Sequence, residues 1–368
     1  MKRRDFFKLL GAGATVAVLS PSVAQAATLP LSQAKWRGYR LTYQITLPAA
    51  GKVAKLWLPL PDSTDTAYQF TQGNNWSGEA TASAFYMLPG TTSPVFFAIW
   101  KRGEERTVKV SSIIKTAYRT TDLSFYQSPS KILIPQNVQH YLRSTNRIPL
   151  DNTVKKLAHA ITTQANAHTP LQQVRAIYDW VIDNFNYDNN VRGQGKGDIQ
   201  HMLSKEDLSG KCVDIHSLFV GLVRASGVPA RVQYGIRVGE SSLNKNLGKS
   251  GDISSSQHCQ AEFYLAGFGW VPVDPSDVVK VAALDSLPKN HAVISQLREQ
   301  LFGAWEMNWV AFNNGESVDL GKECVAGKLP FFLYPHAEID GKQQDSLEPE
   351  SFSYKITAAT LVGTGAKI

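Results

Sequence analysis

Gly210-Lys211-Cys212-Val213-Asp214-Ile215-His216-Ser217-Leu218-Phe219 places a cysteine where a turn gives way to a long apolar run. The run continues through Val220, Leu222 and Val223 to Ala225 and is punctuated by Gly227 and Pro229. That pattern predicts a buried helix over 213–225, with Cys212 at its start. A helix start leaves backbone N–H groups unpaired and carries the positive end of the helix dipole. Both stabilise an anion, so a thiol placed there ionises more readily, and the thiolate is the reactive form. The same N–H groups can donate to an oxyanion formed on an attacked carbonyl. A lone cysteine is otherwise a small buried hydrophobe; what surrounds it in the fold decides.

Downstream, 231–238 alternates as a strand, 241–256 is polar and glycine-bearing and reads as a flexible loop, and 260–265 and 269–273 read as two further strands. His258 lies where the loop meets the first of these two strands, and Asp274 follows the second. Strands joined by the turn at Ala266-Gly267 can set both side chains at one edge. There the imidazole can take the thiol proton while the carboxylate fixes its tautomer and supports the imidazolium. Upstream, Leu171, Val174, Ile177, Tyr178, Val181 and Ile182 mark one face of a helix beginning near Pro170, followed by loop sequence from Tyr187 to about Gly210. From Lys35 to about Tyr126, β-like runs such as 40–47 and 107–113 alternate with turn residues, the pattern of an antiparallel sandwich. The continuous apolar run 95–100 is compatible with a buried strand without requiring one.

Three blocks, G-K-C-V-D-I-H-S-L-F with R-A-S-G-V-P-A-R-V (210–219, 224–232), H-C-Q-A-E-F-Y-L (258–265) and G-W-V-P-V-D-P-S-D (269–277), resemble the transglutaminase-like superfamily in order and spacing. W-V-I-D-N-F-N-Y-D at 180–188 resembles the elements preceding the cysteine block, and Y-P-H-A-E-I-D-G-K at 334–342 the end of a bacterial exported subgroup. The resemblance implies an α+β fold: a papain-like core in which a helix bearing the cysteine packs on an antiparallel sheet bearing the histidine and aspartate. It implies Cys212 as nucleophile, His258 as general base and Asp274 as the third member. It also implies an acyl-thioenzyme acting on amide bonds of peptides or proteins, with hydrolysis favoured over cross-linking. The alternatives are a cross-linking enzyme and an inactive binding module. One departure is Gln260, where the family usually carries an aromatic residue, so the floor of the site can differ.

Asp214, His216, Gln260 and Glu262 are the residues placed to support these three: Asp214 by capping or orienting backbone, His216 by sharing a helical face with Cys212, Glu262 by supporting the strand pair. Cys212, His216, His258 and Cys259 also contain zinc-type ligands. Adjacent strand residues point to opposite faces, so His258 and Cys259 do not converge on one ion, and neither a metal nor a cofactor is expected at the site. With three cysteines and an oxidising destination, a reduced Cys212 is reconciled with its compartment by a Cys259–Cys324 disulfide; the alternative is three unpaired thiols.

That destination is read from the start of the chain. Lys2-Arg3-Arg4-Asp5-Phe6-Phe7-Lys8, an apolar run over 9–19 and Ala24-Gln25-Ala26 have the order of a signal peptide over 1–26, with the paired arginines of the twin-arginine type. The run is too short to span a membrane, no other segment is long enough, and the expected location is periplasmic or secreted. The 368 residues carry a net charge of +7, and Lys2, Arg3, Arg4 and Lys8 against Asp5 supply three of it. No basic stripe interleaved with aromatics suggests nucleic acid; the expected partners are peptide, protein or cell-wall peptide substrates. With 43% hydrophobic residues and this length, two domains are expected: a β-sandwich-like domain over 28–148 and a catalytic domain over 150–342, with a tail over 343–368.

Overall fold

A computed structural model describes residues 36–350 and 352–361. The expected signal peptide lies outside them. Two five-stranded antiparallel sheets form the sandwich. In Arg37–Thr46 the side chains of Tyr39, Leu41, Tyr43 and Ile45 face inward at every second position and meet Leu56, Leu58, Phe96, Ala98 and Trp100 of the other sheet. The apolar run 95–100 is therefore a buried central strand, Pro94–Trp100.

The sandwich is not built from the first part of the chain alone. Ser353–Leu361 pairs antiparallel with Arg37–Thr46 along nine residues, from Ser353 opposite Thr46 to Leu361 opposite Gly38. His336–Ile339 pairs with Ala54–Pro59 in the second sheet. Within the expected tail over 343–368, Ser353–Leu361 is thus an interior strand, and 28–148 is not a complete unit. Its composition misled: Ile356 and Ala358 are buried against the sandwich core, although the surrounding residues are small or polar. The 241–256 segment is likewise more ordered than its polarity suggests. Gly251–Asp252 pairs with the same C-terminal strand, and Leu247 and Ile253 are buried.

The second unit is a four-stranded antiparallel sheet in the order Gly269–Val273, Gln257–Leu265, Ala230–Arg237, Trp309–Asn313. Helices Asn152–Gln164, Pro170–Asn184 and Cys212–Ala225 share one apolar core with Val232, Tyr234, Cys259, Ala261 and Phe263 of that sheet. Every residue of the Cys212 helix except Ala225 is buried, as expected for a helix that is apolar nearly all round. Thr169 begins the preceding helix with a capping box to Gln172 and Pro170 at its first turn.

On the other face of the sheet a polar cluster joins the two units. Glu262 is fully buried and pairs with Arg231, Gln233 and Arg119, the last from the segment leading out of the sandwich. Burial alone would raise its carboxyl, but Arg119 and Arg231 outweigh that and hold it at about 2. Glu262 thereby ties its strand to Ala230–Arg237 and to the segment leading out of the sandwich. None of the described helices is long and apolar enough to cross a membrane.

Candidate active site

Cys212 is the first residue of its helix, and a parallel pairing of Asn186–Tyr187 with Ser209–Gly210 fixes the turn before it. Asp214, two residues on, organises the surroundings. Its Oδ1 accepts from Lys196 N (2.9 Å) and Gly197 N (2.7 Å), and its Oδ2 from Lys211 N (3.1 Å). The carboxylate sits in a glycine cradle. A Cβ at Gly195, where φ is +95°, would lie 1.8 Å from Asp214 Oδ2, and one at Gly210 2.3 Å from the same atom. This clamp fixes the 192–197 loop on the helix start and brings Gln194 Oε1 to 3.4 Å from the Cys212 sulfur, whose thiol donates to it. Gln194 O also accepts from Val213 N at 3.0 Å. Nothing in the sequence pattern singled out Gln194; the Gly193, Gly195 and Gly197 spacing around it was the available signal.

His258 Nε2 is 2.8 Å from Asp274 Oδ2, and both residues are buried. Asp274 also caps the next helix, Pro275–Leu284, its Oδ1 accepting from Asp277 N at 2.9 Å. His216 comes to the same carboxylate from the Cys212 helix: its Nε2 is 3.2 Å from Asp274 Oδ1, an ion-pair contact poorly aligned for a hydrogen bond. Its Nδ1 is 3.3 Å from the Cys259 sulfur. A second carboxylate, unforeseen from the sequence, lies behind the histidine. Asp277 is 3.5 Å from His258 Nε2 and is paired with buried Arg237 at 2.6 Å.

Charge follows from these contacts. Burial and Arg237 push the His258 imidazolium down, but Asp277 and Asp274 push it up further, to about 9. Burial opposes ionisation of Cys212, yet its interactions with Cys259 and His258 bring the thiol well below its ordinary range. Asp274 is driven far below the carboxylate range because both imidazoles outweigh its burial. The favoured state is a thiolate beside an imidazolium.

One expectation fails at Cys259. All three cysteines are free, so Cys259 and Cys324 are not bridged. Strand alternation does separate His258 from Cys259, but the helix bearing Cys212 packs on the Cys259 face. The second thiol therefore lies beside Cys212. Burial and Cys212 both raise it, which keeps it protonated as a donor to the Cys212 thiolate. Gln260 is buried on the His258 face with its Oε1 unpaired and does not line the cleft above Cys212.

That cleft has a volume of about 440 Å³ and has Cys212 and His258 in its wall, with Lys211, Lys245, Lys249 and Lys280 around them. A second hollow of about 420 Å³ adjoins it, sharing Gln194, Lys211, Ser255 and Gln257. Together they form a groove with Cys212 in one of its two parts.

Comparison with known proteins bears on the family and the fold. The family model of the transglutaminase-like superfamily matches residues 155–275. An uncharacterized protein of Haemophilus influenzae is 34% identical over 336 residues, 87% of this chain and 90% of that protein. Among solved structures, a provisionally named cysteine protease of Cytophaga hutchinsonii shares the fold at a TM-score of 0.57 and 13% identity, covering 90% of this chain and 93% of that one. The periplasmic domain of TgpA from Pseudomonas aeruginosa aligns more loosely, with a TM-score of 0.35, 15% identity and coverage of 70% and 95%. With the core matched from the helices before Cys212 to the residue after Asp274, the protein belongs to the transglutaminase-like superfamily.

Proposed function

We propose that the protein is an exported cysteine enzyme that cleaves amide bonds in peptides through an acyl-thioenzyme on Cys212. The observation that carries this reading is the thiol at a helix start beside an imidazole held 2.8 Å from a buried carboxylate. The Cys212 thiolate attacks the carbonyl carbon, and the oxyanion is met by the Cys212 N–H and by Gln194 once its side-chain amide turns Nε2, in place of Oε1, toward the site. The His258 imidazolium then gives its proton to the leaving amine as the C–N bond breaks. His258, now neutral, takes a proton from water, which attacks the thioester, releases the acid and restores the ion pair. Asp274 holds the imidazole; Asp214 acts through Gln194 as a positioning residue.

Hydrolysis is favoured over amine transfer because the groove is open and polar, so water reaches the thioester. Its lysines favour substrates carrying carboxylates, which suits acidic or cell-wall peptides. The 1–26 segment supports export by the twin-arginine route. Mass spectrometry of a peptide library, incubated with and without added amine, tests the reaction. We expect new carboxyl termini, enriched beside acidic residues, with amine adducts a minor product. Adducts in majority would reverse the choice of acceptor, and an unchanged library would point to a binding module.

The charge state makes a second expectation. kcat/KM should rise as Cys212 ionises, well below the ordinary thiol range, and fall as His258 loses its proton near pH 9. Asp274→Asn should move the alkaline limb to lower pH and reduce kcat by roughly 10³- to 10⁴-fold, less than His258→Ala. A pH–rate profile with its alkaline limb unmoved would remove Asp274 from the orienting role. The raised imidazole also stabilises the fold; that contribution is complete below pH 6.5 and is lost as pH rises through about 9.

A further inference from the structure

We propose that Cys324, His336 and Glu338 form a zinc-binding site outside the catalytic cleft. His336 and Glu338 lie on one face of the 336–339 strand, while Ala337 between them enters the sandwich core. A turn closed by the Cys324 N to Gly321 O bond (3.1 Å) folds over that face. Val325 N and Ala326 N donate to Glu338 Oε1 at 2.9 and 3.1 Å, which fixes the carboxylate. Cys324, partly exposed, leaves a path for an ion to enter.

The three ligand atoms form a triangle. Cys324 Sγ is 3.6 Å from His336 Nε2 and 3.4 Å from Glu338 Oε1, and the last two are 3.2 Å apart. A tetrahedral zinc ion, with sulfur at about 2.3 Å and nitrogen and oxygen at about 2.0–2.1 Å, needs edges of about 3.3–3.6 Å. The triangle meets that requirement with shifts of a few tenths of an ångström or less.

Hydrogen bonds alone could hold such a triangle, but they leave the charge unexplained. Glu338 is 1% exposed, and its Oε2 has no partner. Among the described residues no lysine or arginine is paired with it; its ion-pair contact is His336. A buried carboxylate with one oxygen left unpaired is costly. A zinc dication bound by one thiolate, one carboxylate and one neutral imidazole makes a site of zero net charge. Binding releases the Cys324 thiol proton to solvent, and water fills the fourth position. The mixed sulfur, nitrogen and oxygen donors suit zinc rather than magnesium or calcium. The ion would tie the 321–327 turn to the sandwich.

Cobalt(II) titration of the whole mature protein, first stripped with a chelator, tests the site. We expect about one equivalent to bind, with the visible bands of tetrahedral cobalt and a near-ultraviolet thiolate-to-cobalt band, and zinc to displace it. Cys212→Ala should keep the thiolate band and Cys324→Ser should lose it. His336→Gln, which leaves the thiol in place, should also abolish the tetrahedral bands and guards against a folding defect in the serine variant. Absence of saturable cobalt binding to the unmodified protein would overturn the proposal. So would a thiolate band that vanishes in Cys212→Ala and survives in Cys324→Ser.

Discussion

Cys212→Ala is expected to lower peptide turnover by on the order of 10⁴- to 10⁶-fold, with the protein still folded. The loss is this large because, in the proposed mechanism, nucleophile, base and orienting carboxylate act as a unit. Without the sulfur, His258 and Asp274 remain in place but have no atom to activate, and only the oxyanion donors and the groove persist. The neighbouring thiol cannot substitute. Cys259 is held protonated by burial and contacts His216 rather than lining the cleft. Structurally the change is small, one sulfur from a buried helix start, which costs on the order of 1 kcal/mol. Steady-state kinetics and a thermal melt on the same preparation check both halves. A variant retaining more than a tenth of the activity would end the nucleophile assignment.

Deleting residues 346–368 should have the opposite profile, with the fold lost first and activity with it. The deletion removes the Ser353–Leu361 strand from between Arg37–Thr46 and Gly251–Asp252, with buried Phe352 and Ile356. Losing an aromatic and a branched aliphatic side chain from a packed core costs about 5–10 kcal/mol together, comparable with the whole stability of a typical domain. The damage should reach the catalytic unit, because Ile236, Val238, Val310 and Phe312 share that sandwich core. We expect insoluble protein, or soluble protein without a cooperative melt. A truncated protein melting within a few degrees of the whole would show the strand to be dispensable.

The parts legible in the sequence were those governed by local rules. Pro170 and the 3.6-residue pattern marked the helix beginning near 170, and the 269–273 strand has the bounds read for it. The helix start at Cys212 and the turn between the two later strands placed the cysteine, histidine and aspartate close to where the structure has them. What escaped was non-local. The C-terminal strand has few large apolar residues, because part of its stability comes from backbone pairing with a strand some 300 residues earlier. Cys259 was assigned correctly to the face opposite His258, but alternation does not say which face a helix will cover. Gln194 and Asp277 have no marker of their own; each acquires meaning from a partner, Asp214 for one and Arg237 for the other.

The pairing of Arg37–Thr46 with Ser353–Leu361 also sets a clock on biosynthesis. At the usual elongation rate of 5–20 residues per second, roughly 15 to 60 s separate the emergence of the two strands. For that interval the first strand can join its neighbour at 107–116, but its other edge stays open, a row of unpaired N–H and C=O groups beside Leu41, Tyr43 and Ile45. Such an edge is a template for pairing with another chain. The nascent protein should therefore depend on holding chaperones far more than its finished stability would suggest, and slower translation should reduce its soluble yield.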